Sequence, residues 1–310
     1  MELKAWEYED LPAFDEPVEG ARWIETTGDE VGARYVPNVE YEYVDGVSRV
    51  LQILIPNSRN HKAPRPDRAA SQTYPCIVYV QGSAWMTQDV YANLPCIARL
   101  AEFGYVVAIV QYRESGIGVF PDQVRDARNA IRFMRTHATE YAVDPTRVAV
   151  MGDSSGGHIA TFTGILHDDG SEHDLYPGVS GEPAAIVDFY GSTDLTFDDS
   201  NPSTPNHNLP DSPEGLVMGG ANLREDAAAR EALTTRCNID ENTSMPPVLI
   251  MHGTKDRIVN TRCSVLLHKH LVATGHSSQL FLLRGADHGG PEFWTPTTLG
   301  IVDKFLRKSL

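Results

Sequence analysis

The chain has 310 residues, with 26 Lys and Arg against 42 Asp and Glu, for a formal charge of −16 at pH 7. A composition 41% hydrophobic and 22% charged is that of a globular chain able to bury one large core, which sets aside disordered and fibrous classes. The acidic excess repels polyanions, so neither nucleic acid nor an anionic membrane is an expected partner.

The long apolar runs stop at strand length, as in VVAIV at 106–110, well short of the roughly 20 residues of a membrane span. The opening MELKAWEYEDLPAFDEP is acidic and lacks the apolar stretch of a secretory signal. Cys76, Cys96, Cys237 and Cys263 form no CxxC pair. We therefore expect a cytoplasmic protein in which Cys76 and Cys263 are buried as small hydrophobes, without a disulfide or a metal.

Residues 1–33 are acidic and turn-rich, and Trp6 and Trp23 are the expected points of attachment to a core. Val39, Tyr41 and Tyr43 then share one face, Asp45-Gly46 reads as a turn, and Val50, Leu51, Ile53 and Ile55 follow. That period of two around a DG pair predicts an antiparallel hairpin. The basic, proline-rich stretch 56–75 reads as an exposed loop. Apolar runs at 76–80, 106–110, 148–151, 184–189, 248–251 and 279–283 predict strands buried on both faces of a parallel sheet. A helix starts near Pro121, with Val124, Ala127, Ile131, Met134 and Ala138 at helical spacing, and another spans 297–306. The whole, 1–310, reads as one α/β domain with a mostly parallel central sheet, an N-terminal antiparallel hairpin and helices on both faces. A Pro, Asn, Asp and Gly-rich, cap-like insertion falls at about 192–230. In such sheets, long loops lie outside the strand ends, where ligands bind.

The strand at 148–151 runs directly into Gly152-Asp153-Ser154-Ser155-Gly156-Gly157 and then the apolar stretch HIATFTGIL. This is G-x-S-x-G between a strand and a helix, the setting of a nucleophile elbow. Small residues two before and two after the serine let strand and helix approach closely. Ser154 satisfies that frame with Gly152 and Gly156, whereas Ser155 would have Asp153 at minus two. Ser155 N–H, at the helix start, is placed to meet an oxyanion.

A serine nucleophile needs a base, and the base needs an orienting carboxylate, in this architecture in the order Ser, acid, His. Asp256 follows the strand at 248–251, in HGTKDR. His288 follows the strand at 279–283, in GADHGG. Asp194 in GSTDL is the fallback acid, with turn capping as its default role. His252 reads as structural and Asp287 as a loop hydrogen-bonding group. His137, His158, His167 and His173 share no metal spacing. The loop Gln81-Gly82-Ser83-Ala84-Trp85 follows the first parallel strand, where these sheets place backbone oxyanion donors.

The chain resembles the α/β-hydrolase superfamily. Within it, VMGDSSGGHIA, VDFYGSTDL, PPVLIMHGTKDRIV and GADHGGPEFW are similar to carboxylesterases with a His-Gly-Gly-type loop. These include hormone-sensitive-lipase-like esterases, kynurenine formamidases and, closer still, bifunctional acetyl xylan and feruloyl esterases, over roughly residues 35–308. Gln81, Ser83 and Ala84 depart from the family's histidine and glycines. By position, the resemblance assigns the oxyanion hole to the N–H groups of Ser83, Ala84 and Ser155, with a slip of one residue to Gly82 left open. Gln81 could steady the loop through its side chain.

The chemistry that follows is acyl transfer from an ester to Ser154 and then to water, with no cofactor. Trp85, Tyr190 and Trp294 lie near site loops and could line a substrate pocket, or only pack beneath it. We expect a small-molecule or oligosaccharide ester as substrate: short acyl groups, on xylo-oligosaccharides or as feruloyl esters. An arylformamidase or amidase, a small serine peptidase and a non-catalytic ligand-binding member of the fold stay open, as does a homo-oligomer.

Overall fold

The computed structural model describes residues 5–44, 46–65, 69–168, 175–196 and 201–310. Strands β1 (Gly32–Val44) and β2 (Val47–Asn57) pair antiparallel with Val44 opposite Val47, the expected hairpin. Asp45 of its expected turn lies outside the described residues, as does His173. There follow β3 (Tyr74–Val80), α1 (Leu94–Glu102), β4 (Val106–Val110), α2 (Asp122–Thr136), α3 (Ala138–Tyr141), β5 (Val143–Asp153) and α4 (Ser155–Thr163). The chain continues through β6 (Ile186–Phe189), α5 (Pro213–Val217), α6 (Ala227–Leu233), β7 (Val248–Gly253), α7 (Arg262–Ala273), β8 (Ser278–Leu283) and α8 (Pro296–Ser309).

The strands form one sheet in the order β1-β2-β4-β3-β5-β6-β7-β8. β2 meets β4 antiparallel, and every pairing from β4 to β8 is parallel. Side chains alternate across a strand, so the apolar runs feed two cores at once. Val78 and Ala108, neighbours in register on β3 and β4, join Val150 and Ile250 on one face, beneath α2, α4 and α7. Ile77, Tyr79, Met151, Phe189 and Met251 project to the other, beneath α1 and α8.

Four features differ from the sequence expectation. β8 has no fully buried residue, with Phe281 and Leu282 36% and 47% exposed, because it is the sheet's edge and has only β7 beside it. Helices α1 and α7 do not stand out individually in the sequence: α1 is only nine residues long, and α7 carries a mixed surface and buries only Cys263, Ser264, Leu267 and Leu271. Trp6 and Trp23 are not buried in a core, being 51% and 63% exposed. A polar turn fastens the segment's end, where Asn60 N–H donates to the Gly28 carbonyl at 3.0 Å and Asn60 Nδ2 to Asp29 at 2.9 Å. Lastly, the 56–75 stretch is not wholly an exposed loop: Pro56 and Asn57 end β2, Tyr74 and Pro75 open β3, and Pro56, Ser58, Ala63 and Pro64 are buried.

All four cysteines are free, and Cys76 and Cys263 are buried. Within 192–230, Ser212 and Asp226 cap α5 and α6, and Val217 and Leu223 enter the core of the α2 face. Among the described residues, no helix is long and apolar enough to cross a membrane.

Candidate active site

β5 ends at Asp153 and α4 begins at Ser155, leaving Ser154 alone in the turn with φ 53° and ψ −125°. A residue with a Cβ adopts this conformation only when its surroundings impose it. The imposition is visible in the flanking glycines. A Cβ on Gly152 would overlap the Gly156 carbonyl, and one on Gly156 would overlap the Val80 carbonyl at the end of β3. The turn therefore holds the Ser154 hydroxyl above the sheet at the carboxyl ends of the parallel strands, half-buried.

The loops after β7 and β8 bring two further groups to this rim. His288 Nε2 lies 2.9 Å from Ser154 Oγ, and His288 Nδ1 lies 2.7 Å from Asp256 Oδ2. With Nδ1 protonated, the ring donates to Asp256 and accepts from the serine hydroxyl. Asp256 is surrounded by donors. Its Oδ1 takes the backbone N–H groups of Ile258 and Val259, each at 2.8 Å, and its Oδ2 is also 3.0 Å from His252 Nε2. Burial alone would raise its pKa, but the bonds from His252 and His288 outweigh this and hold the carboxyl well below the usual range.

His252 is a buried structural histidine, as expected, and its structural task is to hold Asp256. Ser264 Oγ fixes its other nitrogen at 2.7 Å. Asp287 turns away from the imidazole, accepting the His288 N–H at 2.8 Å and the Arg257 N–H at 3.0 Å. Asp194 is a buried turn group that accepts from Thr196 N–H at 2.9 Å and pairs with Arg236, distinct from the His288 cluster.

The loop 81–85 packs directly on the elbow. Gln81 Nε2 donates to the Asp89 carbonyl at 2.6 Å, steadying the loop as expected. The Gly82 N–H is taken by Asp153 Oδ1 at 2.9 Å, which removes the one-residue slip. The Ser83 N–H is taken by Ser155 Oγ at 2.9 Å, and this corrects its expected place among the oxyanion donors. The N–H groups of Ala84 and of Ser155 have no protein acceptor among the described residues. For Ser155 the reason is general, since the first N–H groups of a helix have no preceding turn to bond. Burial raises the pKa of Asp153, and the bonds it receives from Tyr79, at 2.7 Å, and Gly82 oppose that shift.

The three aromatic residues expected at the pocket are buried packing groups. Trp85 is 1% exposed and sets its ring edge-on to His158 at 5.2 Å. Trp294 is 6% exposed against Tyr79 and Phe189. Tyr190 lies closest to the chemistry, its ring 4.9 Å from His288 at 65°, and backs the imidazole. Sequence reasoning missed Asp153 and Tyr112 as loop anchors. The only available signal was the Asp between the elbow glycine and serine. Among the described residues, no group of three His, Cys, Asp or Glu side chains could hold a metal.

A parallel sheet carrying this elbow, with an imidazole and a carboxylate converging from the ends of the last two strands, defines an α/β-hydrolase. The BD-FAE family matches residues 65–271, two-thirds of the sequence, and the chain belongs to it. Among curated proteins it is similar to a probable carboxylic ester hydrolase, LipM, of Mycobacterium tuberculosis, 27% identical over 63% of this chain and 44% of that one. It is also similar to the esterase LipC of the same organism, 27% identical over 83% and 60%. The chain thus spans about half the length of the curated relatives it matches. Among solved structures, a thermophilic esterase from Thermogutta terrifontis with propionate bound is 25% identical with TM-score 0.67, covering 89% of this chain and 94% of that one. A truncated carbohydrate esterase from gut microbiota shares the fold at TM-score 0.74 and 24% identity, covering 91% and 98%.

Proposed function

We propose that this protein is a serine carboxylesterase that releases short acyl groups from carbohydrate esters, with Ser154 as nucleophile, His288 as base and Asp256 as its orienting acid. The observation carrying this reading is the unbroken hydrogen-bond chain from Ser154 Oγ through His288 to Asp256, beside two N–H groups, of Ala84 and Ser155, with no protein acceptor among the described residues. His288 Nε2 takes the hydroxyl proton as Ser154 Oγ bonds to the acyl carbon. The carbonyl oxygen becomes an oxyanion between the Ala84 and Ser155 N–H groups, donors of a kind worth on the order of 3 kcal/mol each in the transition state. The alcohol leaves with the proton held by His288, and water repeats the sequence on the acyl-serine. Asp256, kept ionised by its four donors, stabilises the transient imidazolium.

Membership of the BD-FAE family and the similarity to a propionate-bound esterase support a short acyl group and an ester bond. The test is hydrolysis of a p-nitrophenyl acyl series and of acetylated xylo-oligosaccharide by wild type and Ser154→Ala. We expect release from both substrates, reduced at least ~10⁴-fold by the substitution. Activity on the model esters alone would retain the mechanism and exclude the sugar, whereas activity unchanged in Ser154→Ala would exclude the mechanism.

A further inference from the structure

The hydroxyl of Ser155 has no part in the steps above, yet it is fully buried at the junction of elbow and oxyanion loop. Its oxygen accepts the Ser83 N–H at 2.9 Å. Ser83 Oγ in turn donates to the Met86 carbonyl at 2.6 Å, and Tyr112 OH lies 2.8 Å from Ser83 Oγ, 3.1 Å from the Gln81 carbonyl and 3.4 Å from Ser155 Oγ. Because Ser83 spends its proton on Met86, the Tyr112 proton goes to Ser83 Oγ or Gln81. The Tyr112 oxygen is then left as the acceptor for Ser155. Ser155 Oγ thus accepts from the loop and faces, at the longer distance of 3.4 Å, the tyrosine that itself holds Ser83 and Gln81.

The loop needs such a hold. Ala84 and Trp85 both have positive φ, 55° and 57°, which residues with a Cβ adopt only under external constraint. The constraints are Asp153 on the Gly82 N–H, Ser155 on the Ser83 N–H and the Ser115 N–H on the Trp85 carbonyl at 2.8 Å.

We propose that Ser155 is a positioning residue that sets the spacing of the oxyanion hole. Its backbone N–H is one of the two donors, and its side chain fixes the loop that carries the other, Ala84 N–H. It also makes the hole a two-donor site by withdrawing the Ser83 amide. This inference rests on the proposed roles of Ser154 and His288.

The test compares wild type, Ser155→Ala, Ser155→Thr and Tyr112→Phe in steady-state hydrolysis of p-nitrophenyl acetate. Inhibition by a phenylboronic acid is measured alongside, since its tetrahedral serine adduct places oxygen where the oxyanion forms. Ser155→Ala is expected to lower kcat roughly 10-fold to 100-fold, below the loss typical of deleting a donor outright, with KM within about twofold. Boronate affinity should fall in parallel with kcat. Ser155→Thr, which keeps the hydroxyl, should retain more rate than Ala. Tyr112→Phe should lose less than Ser155→Ala, and the double variant should lose less than the product of the two. If Ser155→Ala does not fold, the parallel fall of kcat and boronate affinity in Tyr112→Phe decides the matter. A Ser155→Ala enzyme at wild-type rate, one that is faster because Ser83 N–H joins the hole, or one altered only in KM overturns the proposal while Ser154 dependence persists. Ester hydrolysis that survives Ser154→Ala overturns both readings.

Discussion

Around Ser154 steric contact between backbones is the fixture, whereas Asp256 and His288 are held by hydrogen bonds. Gly152 and Gly156 touch carbonyl groups of α4 and β3 with no room for a methyl group. On the other side of the site, Asp256 is held by two backbone N–H groups and His252, and the histidine loop by Asp287 and the Thr254 hydroxyl, which accepts the Gly285 N–H at 2.8 Å. Steric contact between backbones has no graded alternative, while a hydrogen bond can be lost one at a time. The placement of Ser154 should therefore fail all at once and that of Asp256 and His288 by degrees.

The sharpest way to break this contrast is Gly156→Ala. The added methyl overlaps the Val80 carbonyl, so strand and helix must part, at a cost above about 3 kcal/mol. Thermal unfolding together with fluorophosphonate labelling should show a large fall in Tm and no labelled Ser154. Normal labelling with normal Tm would mean that the elbow is not sterically fixed. A smaller effect is expected from His252→Gln, which weakens one of the donors on Asp256 Oδ2 and leaves the two backbone N–H bonds in place. One such bond corresponds to about 1–2 kcal/mol, or roughly 5-fold to 30-fold in kcat/KM. A loss as complete as that of Gly156→Ala would erase the distinction between the two kinds of support.

A further effect, seen only as a change with pH, concerns Asp188, beneath the elbow. Its Oδ1 accepts the Gly191 N–H at 2.9 Å, its Oδ2 has no partner among the described residues, and a Cβ on Gly157 would overlap it. Burial pushes its pKa up to about 7. Between the ordinary value of 3.8 and about 7, the native state keeps a proton that the unfolded chain has released. Stability contributed by this group is thus lost as pH rises through that window, by at most about 1.4 kcal/mol per pH unit. Asp188→Asn cannot ionise, so its Tm should hold up better than wild type from pH 5 to pH 8. A Tm difference that stays constant across that range would remove Asp188 from the account.

Much of this architecture was legible because apolar runs and short motifs report backbone needs. The continuous runs at 106–110 and 148–151 could only be strands buried on both faces, and the glycines around Ser154 report a contact that no other residue permits. The chain order Ser154, Asp256, His288 similarly follows strand order. What escaped depends on neighbours distant in sequence. The edge position of β8 is decided by what does not pair beside it, not by its own residues. Trp85 and Trp294 stand near site loops in sequence, yet their rings turn inward onto His158 and Tyr79. The fate of the Ser83 N–H was hidden most fully, because it is decided by a hydroxyl 72 positions later.

The place of β8 has a further consequence. His288 hangs from the one parallel strand that is open to solvent along a side, while Ser154 follows β5, which is flanked by β3 and β6. Strands at a sheet margin belong to the cooperative units that open most readily, and interior strands to those that open last. On the proposed mechanism, competence for proton transfer and integrity of the fold are therefore governed by different opening equilibria. A molecule whose margin has transiently frayed would keep its serine in place, with nothing to activate it.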